Sequence, residues 1–594
     1  MVRDSFTLAH VTHEAVEHLG GIGTVLCGLI TSPVYQQVVD RSILIGPTQT
    51  REHIDPEARL GEAGQVLYSS IDQIDRKNLA TRFQHIESAF NIAIVYGTRR
   101  YHVPGDDRTG EAEVLLLDVL GINLDRLNAF KWRLWKTFGI NSSEYEKVWD
   151  FEEYARLAEP AYYALVALLD DDELPCVLIS HEFMGMATAL QAILDGQERF
   201  RTVFYAHECA TARHLVENNP GHDTMFYNVL DQARRQKLYA HDVFGDLEHL
   251  FRHVLIKRAH LCDSIIAVGD RTCDELLFLD SQFRDRPIDL VYNGIPSGKV
   301  DLDSKMASRK MLADYSRTLL GHEPDVLMTH VTRPVISKGL WRDLKVCHNL
   351  DRQLTQQNKT GVLYILTSAA GVRCHQDILT MEKDYGWPRR HQDNYPDLVG
   401  PEQNLYQNIA AFNDGHDAVQ VVLVNQFGWS QQCIGQRLPA KMTIADLRRA
   451  TDVEFGMATY EPFGISPLEP LGAGAICVIS SICGCEGFVR HVTKGQGALN
   501  VIAADFTRLG GGEAGNTTIN QLKAMTSQQR EEIEETEALL VADELMRRLP
   551  WSQTQRKALI ESGQGLVADM GWDQVIEEGI LPMLQRIVAN DRKS

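Results

Sequence analysis

Short, continuously apolar runs, each followed by a helical pattern, recur along the first half of the chain: FTLAHVT, RSILIGP, NIAIVYG, EVLLLDV, PCVLISHE, TVFYAHE, SIIAVGD and IDLVYNG. A strand that is apolar at every position, rather than at every second one, is covered on both faces. That is the condition of a parallel strand in a sheet flanked by helices. The rhythm restarts after the polar segment Pro296 to Asp325 with DVLMTHV, GVLYILT, AVQVVLV, DVEFGMA and AICVIS. The spacing predicts an α/β protein with two doubly wound, Rossmann-like domains in series, the first ending at residue 295. Ligand is expected at the carboxyl ends of the strands. With 594 residues, the chain is too long for a single core.

The helices have signals of their own. TIAD, Thr443 to Asp446, reads as a capping box opening a short helix ahead of VEFGMA. The tail from Gln521, QLKAMTSQQREEIEETEALLVADELMRRL, reads as helix throughout, as does WDQVIEEGILPMLQRIV.

Charge narrows the function. With 59 Lys and Arg against 80 Asp and Glu, the formal net charge is −21. Non-specific attraction to nucleic acid or to an anionic membrane depends on clustered cations, so neither is an expected partner. An anionic substrate would have to be met by cations placed for it. The 11 cysteines form no CxxC pair, and Cys483 and Cys485 are the one close pair. Neither a metal site nor a disulfide framework is indicated, and a reducing cytoplasm is the expected location. No signal-peptide core and no apolar run of about 18 residues is present.

Four groups of residues could carry chemistry. In HVTHEAVEHLGGIGTVLCGL, Gly20, Gly21 and Gly23 lie between a predicted strand and a predicted helix, where backbone N–H groups can approach an anion; alone, the pattern reads first as a tight strand-to-helix turn. In HVTRPVISKGLWRDL, Arg333 and Lys338 follow a strand, and a guanidinium fork with an ammonium could neutralise a diphosphate without a metal. His181 in VLISHEFMGMATAL and His207 in VFYAHECATARHLVE stand at strand ends, where an imidazole can meet a sugar hydroxyl or a leaving group. Neither is part of an HExxH zinc motif. In TYEPFGISPLEPLGAGAICVIS, Glu461 and Glu469 bracket a turn that is expected to deliver Glu469 onto a helix. Two such carboxylates could grip separate hydroxyl groups of one extended ligand, with loop N–H groups on a phosphate between them. The acidic run LDDDEL, Asp170 to Glu173, reads as a solvated loop.

Taken together, these segments resemble the retaining glycosyltransferases of GT-B architecture, two Rossmann-like domains facing a central cleft, and among them the fungal and animal glycogen synthases. HVTHEAVEHLGGIGTVL resembles their glycine loop, ISHEFMGMATAL and VFYAHECATARHLVE their strand-end histidines, and EPFGISPLE their E-x7-E element. GLVADMGWDQVIEEGILPML resembles the C-terminal helices that cross back onto the first domain. The resemblance implies a nucleotide-sugar domain over 296–569, with 570–594 rejoining the first domain. It implies transfer of glucose from a nucleotide-diphosphate-glucose such as UDP-glucose to an α-glucan, with retention of anomeric configuration and no metal or other cofactor. The alternatives are a small acceptor, such as a sugar phosphate or a glycerate-like alcohol, and a silent sugar-nucleotide or glucan binder; a homo-oligomer is allowed.

The implied catalytic residues are Glu461 on the donor-sugar hydroxyls, Arg333 and Lys338 on the diphosphate, and His181 beside the transferred sugar. Gly21, Gly23, Gly464, Ile465, Glu469 and His207 would complete the nucleotide-sugar site, Glu469 on the ribose. The family usually carries a Lys two residues before its glycine pair, where this chain has His18. The arginine cluster and Ser-rich tail of the regulated enzymes are missing.

Overall fold

The computed structural model describes residues 5–16, 20–48, 55–61, 63–103, 107–196, 199–296, 298–510 and 517–589. His18 lies outside them. Two compact units make up the chain: Met1–Ala212 with Ala233–Gly294 and Trp572–Ser594, and Arg213–Gln232 with Ile295–Gly571.

One sheet of ten strands forms the first unit: β1 (Phe6–Val11), β2 (Val39–Pro47), β3 (Gly64–Ser69), β4 (Ile74–Asp75), β5 (Ala93–His102), β6 (Thr109–Asp118), β7 (Cys176–His181), β8 (Phe200–Ala206), β9 (Ser264–Ala267) and β10 (Ile288–Leu290). Their order is β10-β9-β8-β7-β1-β2-β6-β5-β3-β4. NIAIVYG forms β5, which is antiparallel to both β6 and β3, contrary to the parallel strand its apolarity predicts. Only residues 103–108 join β5 to β6, too few for the crossover a parallel pair needs. From β1 the chain adds β2 and β6 on one side and β7 to β10 on the other, so the direction of winding reverses between β1 and β7.

The second unit holds six strands, all parallel: β11 (Val326–Val331), β12 (Gly361–Leu366), β13 (Val419–Val424), β14 (Val453–Gly456), β15 (Ile476–Ser480) and β16 (Val501–Ala504). They run β13-β12-β11-β14-β15-β16, the doubly wound order whose reversal falls between β11 and β14. Every residue of β12, β14 and β15 is buried, as continuous apolarity requires. The segment Arg213–Gln232, expected in the first domain, belongs to the second unit. Its Thr224 hydroxyl donates to the Phe506 carbonyl at 2.7 Å, and Asp223 pairs with Arg342.

Thr443 caps the helix Ile444–Ala450 in a capping box with Asp446, as TIAD predicts. The tail is not one helix: Ile519–Lys523 ends before Thr526, which caps a second helix, Ser527–Arg548. The last segment is likewise interrupted, by a π-turn at Ile576–Ile580 just ahead of Pro582, which has no N–H to continue an α-helical ladder. No helix among the described residues is long and apolar enough to cross a membrane.

Candidate active site

The reversal in the second sheet places the loops after β11 and β14 side by side, the position at which open α/β sheets bind ligands. Arg333 and Lys338 lie on the first loop, Glu461 on the second. The loop after β11 tightens into a single 3-10 turn, Ile336–Lys338, and passes through Gly339 at φ +62° before its helix begins at Leu340. A side chain at Gly339 would stand 2.5 Å from the Met457 carbonyl oxygen, so glycine lets the two loops touch. The Ser337 carbonyl accepts the N–H groups of Thr459 at 2.8 Å and Tyr460 at 3.2 Å, which fastens one loop to the other.

Across this brace the Lys338 ammonium donates to the Glu461 carboxylate, an ion pair in which both side chains are under one-fifth exposed. Gly464, at φ +92°, turns the chain beneath Glu461; a Cβ there would lie 3.0 Å from Glu461 Cγ. The N–H groups of Gly464 and Ile465 have no acceptor among the described residues. Arg333 is exposed and makes no ion pair among the described residues. Glu469 does not enter an α-helix: it sits between two single turns, Ser466–Leu468 and Leu471–Ala473, because Pro467 and Pro470 cannot continue a helical hydrogen-bond ladder.

Glu469 has a partner the sequence reading missed. Arg448, buried at the end of the helix Ile444–Ala450, donates to Glu469 at 2.6 Å and lies 2.9 Å from Glu454. It also donates to the Ser466 carbonyl, while the Ser466 hydroxyl donates to the carbonyl of Val331, the last residue of β11, at 2.9 Å. Arg448 therefore ties the E-x7-E turn to the strand that carries Arg333 and Lys338. Burial pushes the Glu454 carboxyl up, and the Arg448 guanidinium opposes it. Glu461, Glu469, Lys338, Gly464 and Ile465 thus come together on the second unit, with Arg333 on the same loop as Lys338.

In the first unit, Gly21 and Gly23 begin the helix Gly21–Ile30 after β1. The N–H of Gly23 is not open to an anion, because it donates to the buried carboxylate of Glu14, an internal counter-charge at the helix N-terminus. Gly21 is exposed with open space around it. His181 is fully buried, with both ring nitrogens engaged: Nε2 lies 2.9 Å from Nδ1 of His10, and Nδ1 lies 2.8 Å from Nε2 of His207. The ring that reaches solvent is His207, not His181. Glu182, next to His181, has φ +57°, rare for a residue with a side chain, and its carboxylate accepts the N–H of Glu208. LDDDEL is largely exposed, though Glu173 pairs with Arg41 at 2.5 Å.

The imidazoles give this unit an acid-sensitive core. Burial pushes His10 and His207 down to about 3, and burial reinforced by the neighbouring rings lowers His181 well below the ordinary value. The unfolded chain takes up these protons near pH 6.5 while the folded one does not, so stability is complete above that pH. It should fall toward pH 3, by about 1.4 kcal/mol per pH unit for each ring. Urea midpoints measured from pH 7.5 to 4.5 test this: they should decline steeply below 6.5, and with only about a third of that slope, the part due to His207, when His10 and His181 are replaced by Phe.

No protein-family model matches the sequence, and no curated protein matches it. Its fold does occur among solved structures. An α,α-trehalose-phosphate synthase (UDP-forming) from Burkholderia xenovorans, in complex with glucose-6-phosphate, aligns with a TM-score of 0.50 at 11% identity over 98% of this chain and 100% of that one. An E. coli structure described as trehalose-6-phosphate bound with UDP-2-fluoro glucose gives 0.49 at 11%, over 98% and 99%. Sucrose-phosphate synthase from Thermosynechococcus elongatus gives 0.47 at 13%, over 98% and 99%. At 11% identity the likeness to the Burkholderia structure is one of fold, the two-domain α/β GT-B architecture.

Proposed function

We propose that the protein is a retaining hexosyltransferase that moves glucose from a nucleotide-diphosphate-glucose to a small phosphorylated sugar. The observation that carries this reading is the meeting of Lys338 and Glu461, with the open Gly464 and Ile465 N–H groups, at the reversal point of the second sheet. A sugar nucleotide presents hydroxyls, a diphosphate and a ribose diol in that order. Glu461 suits the first, Lys338 and Arg333 the second, and Glu469, held by Arg448, the third.

As the bond from the anomeric carbon to the diphosphate breaks, negative charge grows on the leaving oxygen. Lys338 and Arg333 are placed to stabilise it, together with the loop N–H groups, so the chemistry calls for no metal. Attack by the acceptor on the same face, with the departing phosphate taking the acceptor's proton, retains the configuration. Lys338 is shared between roles: without donor it neutralises Glu461, and with donor it turns to the diphosphate and frees that carboxylate for the sugar.

For the acceptor, support comes from the Burkholderia neighbour, a UDP-forming enzyme described with glucose-6-phosphate bound. A glucan acceptor, the expectation from the glycogen-synthase likeness, has no such support. Incubation with labelled UDP-glucose or ADP-glucose, each with glucose 6-phosphate, fructose 6-phosphate or glycogen, tests the reading. Label is expected in a phosphorylated disaccharide. Label in polymer would return the glucan acceptor, and donor binding without transfer would leave a sugar-nucleotide binder.

A further inference from the structure

His10, His181 and His207 stand on or directly after three neighbouring strands, β1, β7 and β8, where the first sheet reverses its winding. Ile179 is the partner of His10 across β1 and β7, and Tyr205 that of His181 across β7 and β8. Each step across the sheet therefore climbs two residues. A step of two restores the same face, so the rings form a diagonal row. The contacts of 2.9 Å and 2.8 Å are ring nitrogen to ring nitrogen, and the His181 and His207 planes differ by 10°.

A neutral imidazole has one N–H and one lone-pair nitrogen. In such a row each tautomer dictates the next, and the whole row points one way. At its buried end Nε2 of His10 lies 3.3 Å from the Tyr35 hydroxyl, which lies 2.7 Å from the Ser42 hydroxyl. A phenol donates more strongly and accepts more weakly than an imidazole nitrogen. The favoured sense is therefore Ser42 O–H to the Tyr35 oxygen, Tyr35 O–H to Nε2 of His10, and then Nδ1–H to Nε2 from each ring to the next. At the far end, Nδ1 of His207 has no partner among the described residues, and the ring stacks on Tyr205 at 4.2 Å between centroids.

We propose that this row fixes His207 as an uncharged Nδ1–H donor at its outer end, with His10 and His181 as the positioning residues that set its tautomer. A lone histidine at a strand end would be free to present a lone pair or a cation instead. The other titratable groups around the row are Tyr35, Tyr205, the ring of His13 in the turn after β1, and Glu182, whose carboxylate is taken by the Glu208 N–H. The inference stands apart from the transferase reading, because it is tested without donor or acceptor.

The test is long-range 15N–1H spectroscopy of the imidazoles in the histidine-labelled full chain, assigned with single His variants. All three rings should read as neutral Nδ1–H tautomers from pH 8 to 5.5. In Tyr35→Phe, which removes only the phenol hydroxyl, His207 should lose its single tautomer two strands away; in Ser42→Ala it should keep it. An Nε2–H or charged His207 in the wild type, or a His207 that is unchanged in Tyr35→Phe, would overturn the proposal. The wild-type spectrum decides by itself if Tyr35→Phe does not fold. Loss of transfer activity in any variant bears on the transferase reading alone.

Discussion

Replacing Lys338 with Ala should slow sugar transfer by about 10²–10³-fold, or about 2.7–4 kcal/mol, the range for one preorganised donor removed from a developing oxyanion. Its ammonium stands on the loop after β11, is less than one-fifth exposed, and is held by Glu461 across the sheet's reversal point. Because the interaction with the diphosphate strengthens as the bond breaks, kcat and kcat/KM should fall together, where loss of simple ground-state binding would raise KM alone. Glu461→Gln keeps the shape of its partner while removing the charge. The pair should therefore couple in a double-mutant cycle, with an interaction energy of about 0.5–3 kcal/mol. Steady-state kinetics with UDP-glucose and a sugar phosphate, alongside a thermal melt to confirm folding, makes the measurement. Undiminished kcat in Lys338→Ala would remove the leaving-group site.

The second large effect is on stability. Arg342 is wholly buried and forks onto Asp223 at 2.7 and 3.0 Å; its Nε donates to Glu534 at 3.0 Å. It also donates to the Met457 carbonyl at 3.3 Å and the Ala458 carbonyl at 3.2 Å, and lies 4.1 Å over the ring of Phe506. Burial pushes the Asp223 carboxyl up, and the guanidinium is what opposes this.

Arg342→Met should therefore cost about 3–5 kcal/mol, because it leaves Asp223 without its counter-charge in the interior, while Glu534 keeps the Arg530 guanidinium at 3.6 Å and the Trp341 indole N–H at 3.0 Å. The combined change of Arg342→Met and Asp223→Leu should recover most of that loss, since it removes the carboxylate left without a counter-charge and keeps Glu534 for Arg530 and Trp341. A chain of two units need not unfold in one step, so hydrogen exchange at the β14 amides, Val453 to Gly456, is the appropriate readout. Protection unchanged in Arg342→Met would show that the cluster does not hold this strand. Arg342 also fastens the backbone at Met457 and Ala458, from which the Glu461 loop departs, so the same variant should loosen the site.

The residues that announced themselves in sequence did so for local reasons. Thr443 and Asp446 satisfy one another's backbone within a single turn, so four residues suffice to read the cap. Gly464 was legible within EPFGISPLE, though its backbone angle was not. Arg448 offered nothing comparable: an Arg in the last turn of a short helix is ordinary. Only the adjacency of β11 and β14 makes it the clamp on Glu469 and the counter-charge of Glu454. His10 was hidden for the same reason, a single polar residue inside an apolar run.

From its sequence alone the chain had settled its class, most of its strands and the loops that carry Lys338, Arg333 and Glu461. A parallel strand covered on both faces must be apolar throughout, and a charged residue just beyond one lies at a sheet's carboxyl edge. The tertiary structure alone decided the pairings: Lys338 with Glu461, 123 residues away, Glu14 with the glycine turn, and one imidazole with the next across three strands. Partners of that kind are chosen by strand order and register, which arise from the packing of the whole sheet and leave no mark on the residues beside them.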